Sequence, residues 1–385
     1  MDHARAQNTV FRLLPLWVLV QIGILSVLGV HYASDTGRYL AGADALLNGT
    51  ALPGKSGSYL GYNMFVAVFR FSGLGPAAIV AGQILLAAVA CVCMFHLGSK
   101  LGGARAGLLA AGLYAVYPDV QMWNFYVLTE SIFISMLIIS VFLLVNVRGP
   151  VGYALVVPVV VFTILVRPNG IILAAAVFAF AVFRMFQRRR YAMLLVLGLG
   201  AAVLALIAVS AVSDRLAHEN IGNHLRTGTV IWGYEGLRFP MALADVPEVR
   251  SVGLGEFVGL IAADPVGFVK LAAARLAAFF VHARPYWSPL HNAFTLVTLA
   301  VIYALAWRGA RQSGLQDLVV VALSLVAAQA AIVGATFADW DGRHLDAVLP
   351  MLFVLAAAAL ARVTRRFHEA GDSESRMPKA GCGRR

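Results

Sequence analysis

The chain has 385 residues, 60% of them hydrophobic and only 13% charged. Soluble domains carry about a quarter charged residues, so this composition excludes an ordinary water-soluble domain. The net charge of +11 would suit nucleic acid, but the basic residues stand at the ends of apolar runs, where they act as topogenic signals, so no nucleic-acid partner is expected.

Taken in chain order, the apolar runs predict helices at about 13–32, 76–97, 105–118, 124–147, 151–166, 169–185, 191–213, 291–307, 317–337 and 346–363. Crossing about 30 Å of hydrocarbon takes roughly 20 helical residues. A backbone there must bond to itself, so the expected fold is an all-α polytopic membrane protein of about ten transmembrane helices. The ~10-residue alternating segments of a β-barrel are absent. No small-residue cleavage site follows the first run, which is therefore expected to stay as an anchor. Cys91 and Cys93 lie within an apolar run and Cys382 near the end; all three read as free thiols.

Two polar-interrupted stretches, 33–75 and 214–290, fall on one side of the bundle. In the first, Tyr59 to Phe71 is apolar but too short to span, which predicts a helix in the interface with Tyr59, Tyr62 and Arg70 at headgroup depth. In the second, 254–283 has apolar residues at helical spacing and predicts a helix along the membrane, kinked at Pro265. Alternating the sides gathers Lys100, Arg105, Arg148, Arg184, Arg188, Arg189, Arg190, Arg308, Arg311 and Arg362 on one face. The acids there are few: Asp2, Asp317, Glu369, Asp372 and Glu374. The positive-inside rule makes that face cytoplasmic, with both termini, and suits a bacterial inner membrane. Residues 1–366 read as one transmembrane domain, and 367–385, rich in Gly, Ser and charge, as a disordered cytoplasmic tail. GxGxxG, P-loop, HExxH and paired CxxC motifs are all missing, so neither a nucleotide fold nor a structural zinc is expected.

Three local signals fall on the opposite, outer face. The stretch HYASDTGRYLAGADALLNG at 31–49 sets Asp35, Arg38 and Tyr39 just beyond the first helix. A carboxylate at the water–lipid boundary can take a proton from a hydroxyl, and an Asp at a helix start can equally be a cap. In YPDVQMWNFYVLTES, Asp119 lies in a turn and Glu130 just inside the next helix. A carboxylate in a membrane helix costs about 2.5–3.5 kcal/mol on insertion scales, so it has a partner or a function, unless it sits close enough to the interface to reach water. Arg167 in RPNG and Arg343 in DGRHLD occupy brief outer turns, with His344 beside the latter. Guanidinium forks match phosphate oxygens. They also snorkel to headgroups or pair with Asp339, Asp341 or Asp346.

These segments, in their order and sidedness, resemble the GT-C superfamily of polytopic membrane glycosyltransferases, especially the protein O-mannosyltransferase and lipid A aminoarabinose transferase group. The likeness runs from about Phe11 to Arg362 through the first outer loop, GSKLGGARAG, YP…VLTES, Asp264-Pro265…Arg275…Phe279-Phe280, RPNG and GRHLDAVLP. It departs in having Thr36 where a second acid often stands and His344 where a tyrosine follows the late arginine. The resemblance implies transfer of a sugar from a polyprenyl-phosphate donor to a glycan, lipid or protein acceptor hydroxyl at the outer (periplasmic) face, among membrane lipids. Asp35 would then be the general base, with Arg343, Arg167 and His344 at the donor phosphate. Arg38, Tyr39 and Tyr62 would shape the acceptor cavity. Glu130 and Asp119 would hold a divalent cation or orient the arginines. Other classes that suit the composition are a lipid-linked glycan flippase or transporter, a polysaccharide polymerase or ligase, and a non-catalytic assembly subunit. A transporter would place charge along a path through repeated halves, whereas here it gathers on one face.

Overall fold

The structure is a computed structural model that describes residues 3–187, 221–243, 253–314 and 316–375. The expected helix at 191–213 and the Arg188–Arg190 cluster lie outside the described residues. Within them the chain is helical, and its only extended pairings are isolated bridges. The helices are α1 (His3–Leu28), α2 (Thr36–Leu47), α3 (Leu60–Phe71), α4 (Pro76–Val116), α5 (Pro118–Gln121), α6 (Thr129–Asn146), α7 (Gly149–Val166) and α8 (Ile171–Gln187). After the undescribed stretch come α9 (Ile221–Arg226), α10 (Leu254–Ala263), α11 (Pro265–Val281), α12 (Pro289–Ser313), α13 (Asp317–Ala335), α14 (Arg343–Asp346) and α15 (Leu349–Ser375).

Among the described residues, five helical segments are long and apolar enough to cross a membrane: α4, α6, Pro168–Gln187, α12 and α13. The bent pair α10–α11 makes a sixth if it counts as one span. The described residues thus account for five or six of the expected spans of about ten, and the one at 191–213 lies outside them. Leu14–Leu28, Val151–Val166 and Leu349–Thr364 are apolar but shorter, and the expected helices at 76–97 and 105–118 are both present, as the two arms of α4. That element, α4, is folded back on itself at Gly102 and Gly103, where the backbone leaves helical geometry and Gly103 takes φ +74°. Its arms pack closely, with the Cys91 thiol 3.8 Å from the Ala111 carbonyl. A Cβ on Gly98 would lie 2.6 Å from the Ala106 carbonyl oxygen. Small residues facing each other let the backbones approach to this distance.

The kink expected at Pro265 is a bend of 103° between α10 and α11. Asp264 caps α11 through a bond from the Gly267 N–H and also accepts from the Ala242 N–H, and Pro265 fills the first helical position, where no N–H is needed. The helix expected over Tyr59–Phe71 is α3, which lies against α2 and is tied to it by the two-pronged Arg70–Asp44 pair at 2.9 and 2.8 Å. At the centre runs α15, whose residues from Met351 to Ala359 are buried on every side, apart from a small exposure at Leu352. A helix apolar all round belongs in a bundle interior. It continues to Ser375, so the first part of the expected tail, 367–375, is helical, and 376–385 lies outside the described residues.

The two ends of the bundle differ. One end carries Lys100 bonded to Asn146, Arg184 paired with Asp317, and Arg362 bonded to Ser313. The other holds the polar turns between helices. Along α6 the two ends stand about 27 Å apart, at ~1.5 Å per residue.

Candidate functional site

The turn between α5 and α6 is fixed by a buried network of side-chain amides. Gln121 Oε1 accepts from Trp17 Nε1 (3.1 Å), Gln21 Nε2 (2.8 Å) and Asn124 Nδ2 (3.1 Å), while Ser131 donates to Asn124 Oδ1 at 2.6 Å. Gln83 donates to the carbonyls of Asn124 and Tyr126 at 3.0 and 2.8 Å. A fully satisfied polar network of this kind rigidifies the segment that carries it. The chain leaving α1 then pairs with the same segment: His31 N–H donates to the Phe125 carbonyl at 2.8 Å, and Val127 N–H to the His31 carbonyl at 3.1 Å. Thr36 closes the corner by donating to the Val127 carbonyl at 3.1 Å. The start of α2, with Asp35, is thereby held beside the start of α6, with Glu130.

Glu130 is the hub. Its carboxylate, 2% exposed, lies 3.2 Å from Arg167 Nη1 and 3.3 Å from Arg343 Nη1, and accepts a bond from the Thr129 hydroxyl at 3.3 Å. Three segments far apart in sequence thus meet in one ion triad. Arg343 also turns its Nε and Nη2 onto Asp341, with Nε 2.8 Å from Oδ1. Its guanidinium sits 5.9 Å from the Trp123 ring centre, and that of Arg167 5.6 Å from Phe133. Burial pushes the Asp341 carboxyl up to about 6, against the pull of Arg343. Arg167 is nearly sealed at 9% side-chain exposure while Arg343 retains 21%. The triad is therefore open on the Arg343 side.

Asp35 takes the position of an N-cap to α2, yet its side chain makes no capping bond. Its Oδ1 is 3.1 Å from Arg38 Nη2 instead, and the carboxylate keeps 30% exposure. Tyr39 links this rim to the triad. Burial raises its phenol well above the usual range, and the fields of Glu130, Tyr59 and Asp35 add to that while Arg167 opposes it. Asp35, Arg38, Tyr39, Glu130, Arg167 and Arg343 therefore belong to one region.

Three expected site residues stand apart from it. Tyr62 is fully buried behind Tyr39, ring centres 5.0 Å apart, with its hydroxyl donated to Gln83, so it supports the wall and does not line open space. His344 is turned to Asp339, with Nδ1 at 3.1 Å and its backbone N–H at 3.3 Å from the carboxylate. Asp119 lies near Asp346 and His291, where burial raises its carboxyl and the field of His291 lowers it. Glu130 is engaged by two cations, and among the described residues no three His, Cys, Asp or Glu are grouped to hold a metal ion. The residues present do not fit the divalent cation expected on Glu130 and Asp119.

Two residues that shape the centre were not singled out in the sequence. Trp123 lies under Arg343 and donates its Nε1–H to Asp346 Oδ2 at 2.9 Å; an indole in an outer turn reads as a membrane-belt residue until its partner is seen. Arg284, 1% exposed, donates to the Asp339 carbonyl at 2.9 Å and so fastens the loop ahead of Arg343. The loop is pinned on its other flank by Arg275, also buried, which donates to the carbonyls of Thr229, Gly334, Ala335 and His224. A scan against models of protein families and a search of curated proteins each return no match to this chain.

Proposed function

We propose that the chain is an integral membrane glycosyltransferase of GT-C type, moving a sugar from a polyprenyl-phosphate donor to an acceptor hydroxyl at the outer face of a bacterial inner membrane, both termini being cytoplasmic. The observation that carries the reading is the convergence of Arg167 and Arg343 on one buried carboxylate, beside a half-exposed Asp35 without a capping role. Two guanidinium groups held in fixed orientation suit an anionic phosphate whose charge grows as its ester bond to the sugar breaks. Glu130 sets their spacing, and Asp341 holds the Arg343 fork until phosphate oxygens replace it.

In this mechanism the acceptor hydroxyl gives its proton to Asp35 as its oxygen bonds to the anomeric carbon. The bond from that carbon to the phosphate oxygen breaks, and the electron pair leaves with the polyprenyl phosphate, opposite Arg343 and Arg167. The configuration inverts. Arg38 holds the Asp35 carboxylate in place, and Tyr39 walls the space between base and triad. A lipid-borne donor needs no nucleotide pocket, which agrees with the missing nucleotide motifs.

The test is turnover of a radiolabelled polyprenyl-phosphate sugar by purified protein in nanodiscs, wild type against Arg343→Gln and Arg167→Gln. Both variants are expected to lose at least about a hundredfold in turnover, the scale of removing one charge-stabilising donor. Wild-type rates in both variants would rule the phosphate role out.

A further inference from the structure

An apolar groove of about 580 Å³ runs between α12, α13 and α15, from Phe280, Tyr303 and Leu352 toward the end of the bundle away from Arg343. One side is a stripe on α12, Tyr303, Ala306 and Ala310, that ends at Gly314 just past the helix, with Trp307 and Arg311 along the rim. The spacing of three and four residues puts these on one helix face. From Tyr303 to Gly314 the stripe is about 17 Å long at ~1.5 Å per residue, roughly half of a ~30 Å hydrocarbon core. It is as long as one leaflet is thick. The small side chains of Ala306, Ala310 and Gly314 are what leave the space.

The rim at the α12 terminus has the features of a headgroup site. Trp307 is 67% exposed, and the Arg311 guanidinium lies 5.5 Å from its ring centre. Tryptophan and arginine at the end of an apolar helix settle at headgroup depth, and basic pockets between membrane helices receive anionic headgroups. Of the other cations at this end, Arg184 is engaged by Asp317 and Arg362 by Ser313 and the Leu101 carbonyl, while Arg308, one turn before Arg311, is exposed. Arg311 has no carboxylate partner among the described residues.

From this we infer that the groove binds one anionic phospholipid, an acyl chain lying along the α12 stripe and the phosphate on Arg311, in the leaflet opposite the arginine triad. Its fit rests on a chain-length groove that ends in a cation without a carboxylate partner among the described residues, and it does not depend on the sugar-transfer reading.

The test is native mass spectrometry of the full chain released from phosphatidylcholine nanodiscs containing a minority of phosphatidylglycerol. Wild type is expected to retain phosphatidylglycerol about fivefold above its share in the bilayer, the scale of ~1 kcal/mol for one basic residue at a membrane surface. Arg311→Gln, an exposed change, should bring that ratio to one, and Ala310→Trp should remove the retained lipid of either kind. Equal retention of the two lipids by wild type would overturn the inference. So would an unchanged ratio in Arg311→Gln, or retention undiminished in a folded Ala310→Trp protein.

Discussion

At the scale of residues, Glu130 decides the most. Removing one partner of a buried charge cluster leaves the others uncompensated and costs about 3–5 kcal/mol. Glu130→Gln is therefore expected to lower unfolding stability in detergent by that order, with Arg167 bearing the larger loss because Arg343 keeps Asp341. Adding Arg167→Gln should cost less than the sum of the single changes, the signature of direct coupling; strict additivity would mean the contact at 3.2 Å carries no energy. Asp341 gives a pH test. Its carboxyl is pushed up to about 6 by burial, so its contribution to stability is present at low pH and is lost as pH rises through that value. Above about pH 6 the ionised carboxylate competes for the Arg343 fork. The donor is a phosphodiester without a titration in this range, so its affinity should fall as pH rises through 6. Asp341→Asn should flatten that dependence, and an identical profile in the variant would exclude Asp341 as the competing group.

Among elements, the α4 hairpin is the sharpest case. Gly103 at φ +74°, ψ −174° occupies a region that only glycine enters freely, and open space surrounds its missing Cβ. Gly103→Ala should cost about 1–3 kcal/mol from backbone strain alone, read as a lower melting temperature in detergent; an unchanged melting temperature would mean the turn can relax. This break was legible in the sequence, because GSKLGGARAG interrupts an apolar run with two adjacent glycines. So were the helix over Leu60–Phe71 and the bend before Pro265. The pairings that hold the site loop were not. Arg275 and Arg284 bond backbone carbonyls, and a carbonyl leaves no mark in the sequence to show which side chain will reach it. The cap assigned to Asp35 by position failed for a related reason: a nearby guanidinium won its carboxylate.

For the whole molecule, periodicity and hydropathy revealed the helical class, and five to six spans meet the length and composition test among the described residues. Hydropathy cannot tell a helix buried in the bundle, such as α15, from one on its surface, because both are apolar. Charge sidedness grouped residues that lie together: Glu130, Arg167 and Arg343 meet in one ion cluster, with Asp35 paired to Arg38 at the neighbouring start of α2. It could not pick out Tyr62 as buried or His344 as tied to Asp339, because both depend on packing from distant segments. The sidedness itself is open to measurement. Gly57→Cys, near Asp35, should react with an impermeant maleimide added outside intact cells, whereas Gln312→Cys, beside Arg311, should react only after lysis. The reverse pattern would invert the membrane orientation.

The most direct test of the central claim is single-turnover transfer of labelled sugar by Asp35→Asn, with donor binding measured in the same sample. The account predicts bound donor and a transfer rate lower by about 10² to 10⁴, the contribution of a positioned general base. Full transfer by Asp35→Asn would contradict it, leaving Asp35 as the partner of Arg38 and no more.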